Sequence, residues 1–307
     1  MRRRGGRVPL LSVIIPFYGD PTDTLALLAE LESQGIPDSV EIIVSDDCSP
    51  ISFPSHQGVT VVRRSSNGGF GSNVNTAVAV ARGEWVLILN SDLTPPENFL
   101  VRMIQAAQEE GAALLSPHIV GHRGESQWVG RKFPLTRHHM WEWFTPAARL
   151  RSTVFWHAMV GHDVTCVSGK RAEPDWLMGA CMMLRRQDFN AVGGMDERFF
   201  MNSEEIDLQR RLAERGTKRV FRGDIVVEHL GGGSSGASAQ RRQWVLDSRF
   251  IYNAKWGQGQ HLALALRLTS YANFFFNLIR FIRNKAVTPR AGLREELAFI
   301  KRAEHKK

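Results

Sequence analysis

The sequence is poor in cysteine and lacks a long apolar segment, and each lack excludes a class of protein. Its 307 residues include three cysteines, Cys48, Cys166 and Cys181, which are far apart and form no CxxC pair. We therefore expect neither a zinc site nor a disulfide framework, and a reducing cytosol fits this usage. No stretch reaches the roughly 20 apolar residues that span a bilayer. We expect no signal peptide, because the apolar run after MRRRGGR is short.

Two common nucleotide-binding motifs are also missing. A GxGxxG fingerprint should directly follow the first strand, but the first predicted strand, Leu10–Phe17, ends in PFYG. No Walker A pattern occurs. The glycine-rich stretch NGGFGSNVN, residues 67–75, comes after a later strand and before a helical pattern. It could bring backbone N–H groups to an anion, or it could be a plain β-to-α turn, and the loop alone leaves both readings open.

The composition is that of a globular α/β protein with an excess of positive charge. The chain is 43% hydrophobic and 23% charged, which suits one large domain with an appendage or two modest domains. The net charge of +8 suits nucleic acid, a diphosphate substrate or an anionic membrane surface. No nucleic-acid recognition motif supports the first of these partners.

Strand and helix patterns alternate through the first part of the chain, which predicts an open, mostly parallel sheet with helices on both faces. Strands are predicted at Leu10–Phe17, Glu41–Ser45, Val59–Arg63, Glu84–Leu89 and Ala112–Ser116. Helices are predicted at Pro21–Gln34, Val74–Ala81 and Pro96–Glu110. Residues 117–173 are irregular and predict a substrate-facing excursion. Order returns at Trp176–Leu184 and in a helix at Glu204–Arg215.

Polar side chains follow the predicted strands at the carboxyl edge, where open sheets bind ligands. Asp46-Asp47 follows one strand, and Asn90-Ser91-Asp92 follows another. An aspartate at such a position can hold Mg²⁺ or Mn²⁺ against a diphosphate. A polar tripeptide after a strand is also a common turn or helix cap.

Two further places carry candidate chemistry. Glu204, Glu205 and Asp207 lie at a helix start, where acids complement the helix dipole. Three acids so close together also fit a general base with neighbours that raise its pKa. His229 ends a predicted strand and is a candidate metal ligand, although a lone histidine fills many other roles.

In this order, the segments resemble the family 2 inverting glycosyltransferases of GT-A fold, in particular their rhamnosyltransferase-like branch. The matching segments are LSVIIPFYGD, IIVSDDCSP, NGGFGSNVNTAVAVARGEWVLILNSD, DWLMGACMMLRRQDFNAVGGMDERFFMNSEEIDLQRRL and VVEHLGGGSS. The resemblance implies a Rossmann-like catalytic domain over residues 1–236, with the nucleotide-sugar side at about 10–116 and the acceptor side at about 117–236. A helical basic extension, residues 237–307, would follow.

The resemblance also implies roles for individual residues. Asp92 and His229 would bind the metal, with Asn90 in place of the first acid of the DxD motif. Glu205 would be the catalytic base; since it is Glu where the family has Asp, Glu204 and Asp207 remain alternatives. The implied nucleotide-sugar-binding residues are Pro16, Phe17, Tyr18, Asp46, Asp47, Asn67, Gly69, Asn75, Arg82, Asn90 and Ser91. Trp176 and Gly179 are the implied acceptor-binding residues.

The implied reaction transfers a sugar, rhamnose from dTDP-rhamnose in first place, to a polyprenyl-diphosphate-linked or polysaccharide acceptor in bacterial cell-envelope synthesis. Mg²⁺ or Mn²⁺ would be the cofactor. A UDP-sugar transferase, for galactofuranose or a hexose, is the nearest alternative. A nucleotidyltransferase fits less well, because its glycine-rich loop would follow the first strand. A degenerate nucleotide-sugar-binding scaffold is the non-enzyme alternative.

Residues 259–285 predict an amphipathic, basic helix. Its apolar stripe consists of Leu264, Leu268, Tyr271, Phe275, Leu278 and Ile282. Its polar side consists of Thr269, Asn273, Asn277, Arg280 and Asn284. Such a helix packs on its own domain or on a second subunit of a homodimer, or it lies on an anionic membrane. The last reading places the enzyme in the cytoplasm, at the inner face of the membrane. Trp128, Trp141, Trp143 and Trp156 are candidate acceptor walls or core residues.

Overall fold

The structure, a computed structural model, describes residues 8–229, 239–257 and 259–306. The boundary that the sequence predicts at residue 236, and the glycine run before it, lie outside those ranges. The strands are β1 (Leu11–Phe17), β2 (Val40–Asp46), β3 (Val59–Arg63), β4 (Trp85–Leu89), β5 (Leu93–Thr94), β6 (Leu114–Val120), β7 (Gly130–Arg131), β8 (Arg171–Ala172), β9 (Trp176–Leu177), β10 (Cys181–Arg185) and β11 (Arg219–His229).

Among the described residues, nine strands form the central sheet, in the order β3-β2-β1-β4-β10-β6-β11-β5 with β8 paired to β11. The first four run parallel, as do β6 and β11. β10 is antiparallel to both of its neighbours, β4 and β6. The expected open, mostly parallel sheet is confirmed, with β10 reversed at its centre and the short strands β5 and β8 antiparallel to β11. β7 and β9 pair separately.

The helices are α1 (Thr22–Ser33), α2 (Gly69–Val80), α3 (Phe99–Glu110), α4 (Thr136–Trp143), α5 (Val154–Met159), α6 (Arg186–Ala191), α7 (Glu204–Glu214), α8 (Ala239–Lys255), α9 (Gly259–Arg283) and α10 (Pro289–Glu304). A 3-10 turn, Thr145–Leu150, joins α4 to α5. The main apolar core lies between the sheet and the helices of the first half, because strands such as β1 and β4 are buried on both faces.

Helix α2 begins five residues earlier than the sequence predicts, inside the glycine-rich stretch. Gly69 has φ +84, and a Cβ there would lie 2.0 Å from the carbonyl oxygen of Phe200. Only glycine fits both the left-handed backbone and this close approach. The glycines therefore form the first turn of the helix instead of an open loop before it.

The ordered segment predicted at Trp176–Leu184 contains two strands in the structure. β9 pairs with β7, whereas β10 enters the central sheet. Gly179 lies in the break, where its missing side chain leaves room for Glu205: a Cβ there would be 3.2 Å from the Glu205 Cγ atom. The break thus brings the excursion and the start of α7 together.

The last three helices share a second apolar core. It contains Leu246 and Phe250 of α8, Leu262 and Leu266 of α9, and Phe299 of α10. By length and composition alone, residues His261–Arg283 of α9 are long and apolar enough to cross a membrane, contrary to the expectation from the sequence. About a third of its apolar 18-residue segment is buried against the protein.

Candidate active site

The carboxyl ends of β1, β2 and β4 meet at one edge of the sheet, as predicted, because these strands run parallel. Pro16 and Phe17 end β1, and Phe17 is buried with its ring edge-on to Phe53 at 5.1 Å. Tyr18, the next residue, is 44% exposed. Of these three predicted residues, Tyr18 has the exposed side chain, while Phe17 belongs to the apolar core.

Asp47 is the link between this edge and the glycine-rich stretch. Its carboxylate accepts hydrogen bonds from the backbone N–H groups of Gly68 at 3.0 Å and Gly69 at 2.8 Å. It also pairs with Arg64 at 2.8 Å. A carboxylate of the protein itself thus occupies the N-terminus of α2, where a phosphate cradle would need free N–H groups. The β-to-α turn reading of NGGFGSNVN is the one that the structure supports.

Asp46 and Asn75 also have protein partners. Asp46 is fully buried and accepts hydrogen bonds from the backbone of Ser49 at 2.7 Å and Phe53 at 3.1 Å, besides its ion pair with Arg63. Asn75 bonds the backbone of Met195 through both of its side-chain atoms, at 2.8 and 2.9 Å. These two predicted residues shape the wall of the site through other segments of the chain.

Two more predicted residues lie apart from this cluster. Asn67 is exposed, and its Oδ1 atom accepts the N–H of Gly69 at 3.2 Å. Arg82 is bound to Glu41 by its side chain at 2.7 Å, near the amino end of β2. Because parallel strands place their amino ends at the opposite edge, the structure does not bring Arg82 to the other predicted site residues.

Asp92 and His229 are brought together although they are 137 positions apart in the sequence, because β11 pairs with β5 directly after Asp92. The His229 Nε2 atom lies 3.1 Å from the Asp92 Oδ2 atom. Gln127 accepts from His229 Nδ1 at 2.6 Å and donates its amide N–H to the His229 carbonyl oxygen at 3.0 Å. This double contact places the proton of a neutral imidazole on Nδ1 and turns the lone pair of Nε2 towards the carboxylate.

A lone pair that faces a carboxylate at hydrogen-bond distance needs a proton or a cation between the two atoms. Imidazole nitrogen and carboxylate oxygen are both ligands for Mn²⁺-type ions, so the donor set fits a divalent metal. The Oδ1 atom of Asn90 is buried nearby without a hydrogen-bond partner among the described residues. Among the residues that the structure describes, no group of three or more His, Cys, Asp or Glu side chains could hold a metal ion without further ligands. Ligands from a bound diphosphate would be needed to complete the shell.

The second half of the site is the start of α7. Asn202 and Ser203, with φ of 65 and 74, are consecutive non-glycine residues in the left-handed region. Such backbone costs energy and tends to persist at functional sites. The turn places Glu204 and Glu205 at the helix start, 4% and 7% exposed. Each has one carboxylate oxygen that is buried without a hydrogen-bond partner in the described residues.

The environment raises the pKa of both glutamates. For Glu204 the main cause is burial, and the neighbouring charge of Glu205 raises its pKa further, so that it lies well above the ordinary value. Burial also raises the pKa of Glu205, but backbone N–H groups and the positive charge of Arg131 oppose the effect. Of two adjacent acids, Glu205 is therefore the one that ionises more readily.

Asp207 has a different environment. It is fully buried and pairs with Arg211 at 2.8 Å and Lys255 at 2.7 Å, and it accepts the indole N–H of Trp256 at 3.0 Å. Its charge is neutralised by these partners, which tie α7 to α8. The geometry fits Asp207 as an anchor between helices and leaves Glu205 and Glu204 as the candidate bases.

Glu205 lines a cavity of about 160 Å³ that opens between the excursion and α8. Trp176 lines it as well, although its ring is 5% exposed and its indole N–H is bound to the Lys132 carbonyl oxygen at 2.9 Å. A larger cavity of about 780 Å³, between α8 and α10, includes neither Glu205 nor Asp92 in its lining. In the described residues, the candidate tryptophans Trp128, Trp141, Trp143 and Trp156 do not line the cavity at Glu205.

The two halves of the site are adjacent. The Asn90 N–H donates to the Ala180 carbonyl oxygen at 2.9 Å, which continues the pairing of β4 with β10. Gly179, one residue further, packs against Glu205. The segment that carries Asp92 therefore lies beside the buried base candidate.

The sequence analysis did not identify Gln127, which orients His229. It also did not identify Arg131, whose charge lowers the pKa of Glu205 against the effect of burial. Both belong to the irregular excursion, and Gln127 is 102 positions from its histidine partner. No local pattern marks such a contact. The left-handed pair Asn202-Ser203 was also missed, since neither residue type demands that conformation.

A mostly parallel central sheet flanked by helices is the architecture of the GT-A fold, which glycosyltransferases have. Among solved structures, the mannosyltransferase PcManGT from Pyrobaculum calidifontis, in complex with GDP-Man and Mn²⁺, shares the fold with a TM-score of 0.55 at 17% identity, over 98% of this chain and 87% of that one. The pattern of glycosyl transferase family 2 matches residues 12–193. The chain belongs to this family.

Within the family, the chain belongs to the rhamnosyltransferase-like branch, as the resemblance implied. It is 28% identical over 220 residues to the N-acetylglucosaminyl-diphospho-decaprenol L-rhamnosyltransferase of Mycobacterium tuberculosis, covering 64% of this chain and 68% of that protein. It is 25% identical over 201 residues to rhamnosyltransferase WbbL of Escherichia coli, covering 61% and 70%.

Proposed function

We propose that the protein is a metal-dependent, inverting glycosyltransferase that moves rhamnose from dTDP-rhamnose to a lipid-linked acceptor in bacterial cell-envelope glycan synthesis. The observation that carries this proposal is that two candidate sets of functional side chains lie at one edge of the sheet. One is the Asp92–His229 pair, 3.1 Å apart. The other is Glu205, whose Oε2 atom is buried without a partner among the described residues. Rhamnose is the first choice because two similar proteins are rhamnosyltransferases.

On the donor side, Asp92 and His229 would hold Mg²⁺ or Mn²⁺, and Asn90 would add its free amide oxygen. When bound, the metal would neutralise the charge of the departing nucleoside diphosphate. Tyr18 would cover the base, above the rigid floor that Phe17 and Asp47 form. The buried contacts of Asp47 keep that floor fixed before the donor arrives, which lowers the cost of ordering the site.

On the acceptor side, Glu205 would take the proton from the attacking hydroxyl group. Its Oε2 atom has no competing partner among the described residues, and its pKa is raised by burial towards the working pH of a general base. The hydroxyl oxygen forms a bond to the anomeric carbon while the bond to the diphosphate breaks. Attack from the face opposite the leaving group inverts the anomeric centre, and one carboxylate suffices for this displacement.

Helix α9 supports a lipid-linked acceptor, because the face that it packs on the protein combines Leu262 and Leu266 with polar side chains and leaves the predicted apolar stripe outside. Ser270 and Asn273 are buried; Ser270 accepts the Trp143 indole N–H at 2.9 Å, and Asn273 accepts the Thr145 N–H at 2.8 Å. The predicted apolar stripe faces outwards instead, with Phe275 62% and Ile282 74% exposed. A contiguous exposed apolar face of this kind marks an interaction surface.

The charge of α9 favours an anionic membrane as the partner of this surface. The helix contains no Asp or Glu, and Arg280, Arg283 and the following Lys285 lie at its end. Cations beside an exposed apolar stripe suit an interfacial helix on anionic lipid. The enzyme would then work in the cytoplasm at the inner face of the membrane, where a polyprenyl-diphosphate acceptor is anchored.

The proposed function is tested by incubating the protein with Mn²⁺ or Mg²⁺, a panel of dTDP- and UDP-sugars, and polyprenyl-diphosphate-linked acceptors. We expect release of dTDP and a rhamnosylated lipid, with metal required. If the protein transferred sugar only from a UDP-sugar, that UDP-sugar would take the place of dTDP-rhamnose as the proposed donor. Absence of both donor binding and transfer across the panel would overturn the enzyme proposal in favour of a scaffold.

A further inference from the structure

Arg131 is a half-buried cation that lines the same cavity as the candidate base Glu205, and among the described residues it has no carboxylate partner. Its guanidinium lies over the ring of Trp176, 5.2 Å from the centroid, and its Nε atom donates to the Trp128 carbonyl oxygen at 3.0 Å. The register of β7 on β9, which places Arg131 opposite Trp176, fixes this arrangement. Within the described residues, no ion pair joins Arg131 to an acid. A charge that is partly withdrawn from water and has no ion-pair partner would gain from a ligand that bonds to it.

Arg131 and Glu205 line the same cavity, and the other charges of its wall are already paired. Glu142 of α4 pairs with Arg249 of α8 at 2.7 Å. Lys132 pairs with Asp163 at 2.8 Å. Burial lowers the pKa of His138 and His139, so both are neutral at physiological pH. Among the described residues, the guanidinium of Arg131 and the carboxylate of Glu205 are thus the charged groups of this cavity that have no ion-pair partner.

The space between these two groups suits one sugar ring. The cavity measures about 160 Å³, which corresponds to roughly five water molecules. A guanidinium offers several N–H donors in a fixed plane, and Glu205 offers an acceptor. A ring with several hydroxyl groups can satisfy both at once, by accepting from Arg131 and donating to Glu205.

Arg131 also acts differently on the two adjacent glutamates. The charge of Arg131 lowers the pKa of Glu205 and so opposes the effect of burial. The pKa of Glu204 is raised by burial and by the charge of Glu205. The charged groups near Glu205 are Glu204 on its own helix and, in the lining of the cavity, Arg131 of β7, Lys132, Glu142 of α4 and Arg249 of α8. Because the last two form an ion pair with each other, Arg131 is the cation that distinguishes the two acids.

We propose that Arg131 binds the acceptor sugar across this cavity and selects Glu205, instead of Glu204, as the acceptor of its proton. The proposal rests on the proposed function and names the residue that recognises the second substrate. Trp176 holds the guanidinium in place, which gives this predicted acceptor residue a positioning role. Gly179 leaves the room that Glu205 needs.

The test compares Arg131→Gln and Arg131→Lys with the wild-type enzyme in rhamnosyl transfer to the lipid-linked acceptor. Arg131→Gln should raise the KM for the acceptor about ten- to a hundredfold, the size of a lost charge-assisted hydrogen bond. The KM for the donor should stay unchanged. The acid limb of the rate–pH profile should move to higher pH, because Glu205 loses the charge that favours its ionised form. Arg131→Lys should restore the pH profile more than the acceptor KM.

Arg185→Gln is the matched control, since Arg185 also lies over a tryptophan ring, that of Trp85, at 5.2 Å in an antiparallel pair. It lies at the far edge of the sheet, so its loss should change neither the acceptor KM nor the pH profile. Titration of the Glu205 carboxyl group by ¹³C NMR in wild-type and Arg131→Gln protein adds a readout that needs no substrate.

An unchanged acceptor KM in Arg131→Gln, with wild-type transfer intact, would overturn this inference and leave the proposed function standing. Equal losses in Arg131→Gln, Arg131→Lys and Arg185→Gln without a pH shift would reduce Arg131 to a structural role. An unchanged Glu205 titration in Arg131→Gln would contradict the inference even if no transfer conditions had been found.

Discussion

The Nε2 atom of His229 lies 3.1 Å from the Oδ2 atom of Asp92, while Gln127 holds the opposite ring nitrogen at 2.6 Å. Asp92→Asn keeps the shape of this pair and removes its charge. We expect the Kd for the nucleotide-sugar in the presence of Mn²⁺ to rise at least about tenfold, measured by calorimetry, and its metal dependence to disappear. Glu228→Gln breaks a similar pair with His122, at 3.0 Å and more exposed, and should change nothing. Metal-dependent binding that survives in Asp92→Asn would remove Asp92 from the site.

Gln127 should matter for the metal without touching it. Gln127→Leu frees the histidine ring, so both tautomers and other ring orientations become accessible. We expect metal affinity to fall about 10- to 100-fold, as for other partners of metal-binding histidines. Gln127→Glu keeps an oxygen that accepts from Nδ1 and should retain most of the affinity. Equal Mn²⁺ binding by wild-type and Gln127→Leu protein, followed by electron paramagnetic resonance, would argue against this role.

Glu205→Gln should separate binding from chemistry. The amide keeps the volume of the side chain but cannot take a proton, so transfer should fall about 10²- to 10⁴-fold while donor binding is retained. Asp207→Asn provides the contrast, because it leaves Arg211 and Lys255 without their shared buried carboxylate. That variant should lose about 3–5 kcal/mol of unfolding free energy. Wild-type transfer by Glu205→Gln would move the base to Glu204.

Glu204 should make stability depend on pH. Its pKa is raised in the folded protein, mainly by burial, from the ordinary value of 4.5. Below that value both states are protonated; as pH rises towards the folded pKa, only the unfolded chain ionises, and stability is lost. Glu204→Gln should therefore stabilise the protein at pH 8 by at least about 1.4 kcal/mol, the worth of one unit of pKa difference between the folded and unfolded states, and by nothing near pH 4. Thermal unfolding at both pH values tests this, with the exposed Glu214→Gln of the same helix as control; a gain that is equal at both values would contradict it.

Local sequence predicts the elements of this fold better than it predicts the contacts of the site. The strands of the first half follow from continuous apolar runs, and their parallel order places Asp46, Asp47 and Asp92 at one edge. Whether such a residue faces a ligand depends on partners distant in sequence. Asp47 meets Gly68 and Gly69 only when α2 packs beside β2, and Asp207 meets Lys255 only when α8 folds back.

The outward face of α9 is the clearest case of a pattern whose meaning needed the structure. The spacing of its apolar and polar residues predicts two faces, but the usual rule buries the apolar one. Here Trp143 and Thr145 donate hydrogen bonds to Ser270 and Asn273, so these two polar side chains pack inwards and the predicted apolar stripe faces outwards. The sequence alone cannot reveal those partners, which come from the excursion more than 100 residues earlier.

Substitution on the outer face of α9 should release the protein from anionic vesicles. Phe275 and Ile282 are 62% and 74% exposed, so a Phe275→Ser/Ile282→Ser variant should keep its fold. Each lost apolar contact with lipid is worth about 1.5–3 kcal/mol, so partitioning onto vesicles that contain phosphatidylglycerol should fall at least about tenfold. Ile51→Ser, at a site 56% exposed on the catalytic half, is the control.

The double substitution is a sharper test than removal of residues 259–307, because that deletion would uncover the apolar core that α9 and α10 share with α8. Arg280→Gln/Arg283→Gln should weaken binding to anionic vesicles and leave the weaker binding to neutral vesicles unchanged, since only the Coulomb attraction is lost. Unchanged sedimentation of the Phe275→Ser/Ile282→Ser variant with vesicles would exclude the membrane role. If that variant instead converts a dimer to a monomer in light scattering, the outer face of α9 is a subunit interface, and acceptor delivery must rely on another surface.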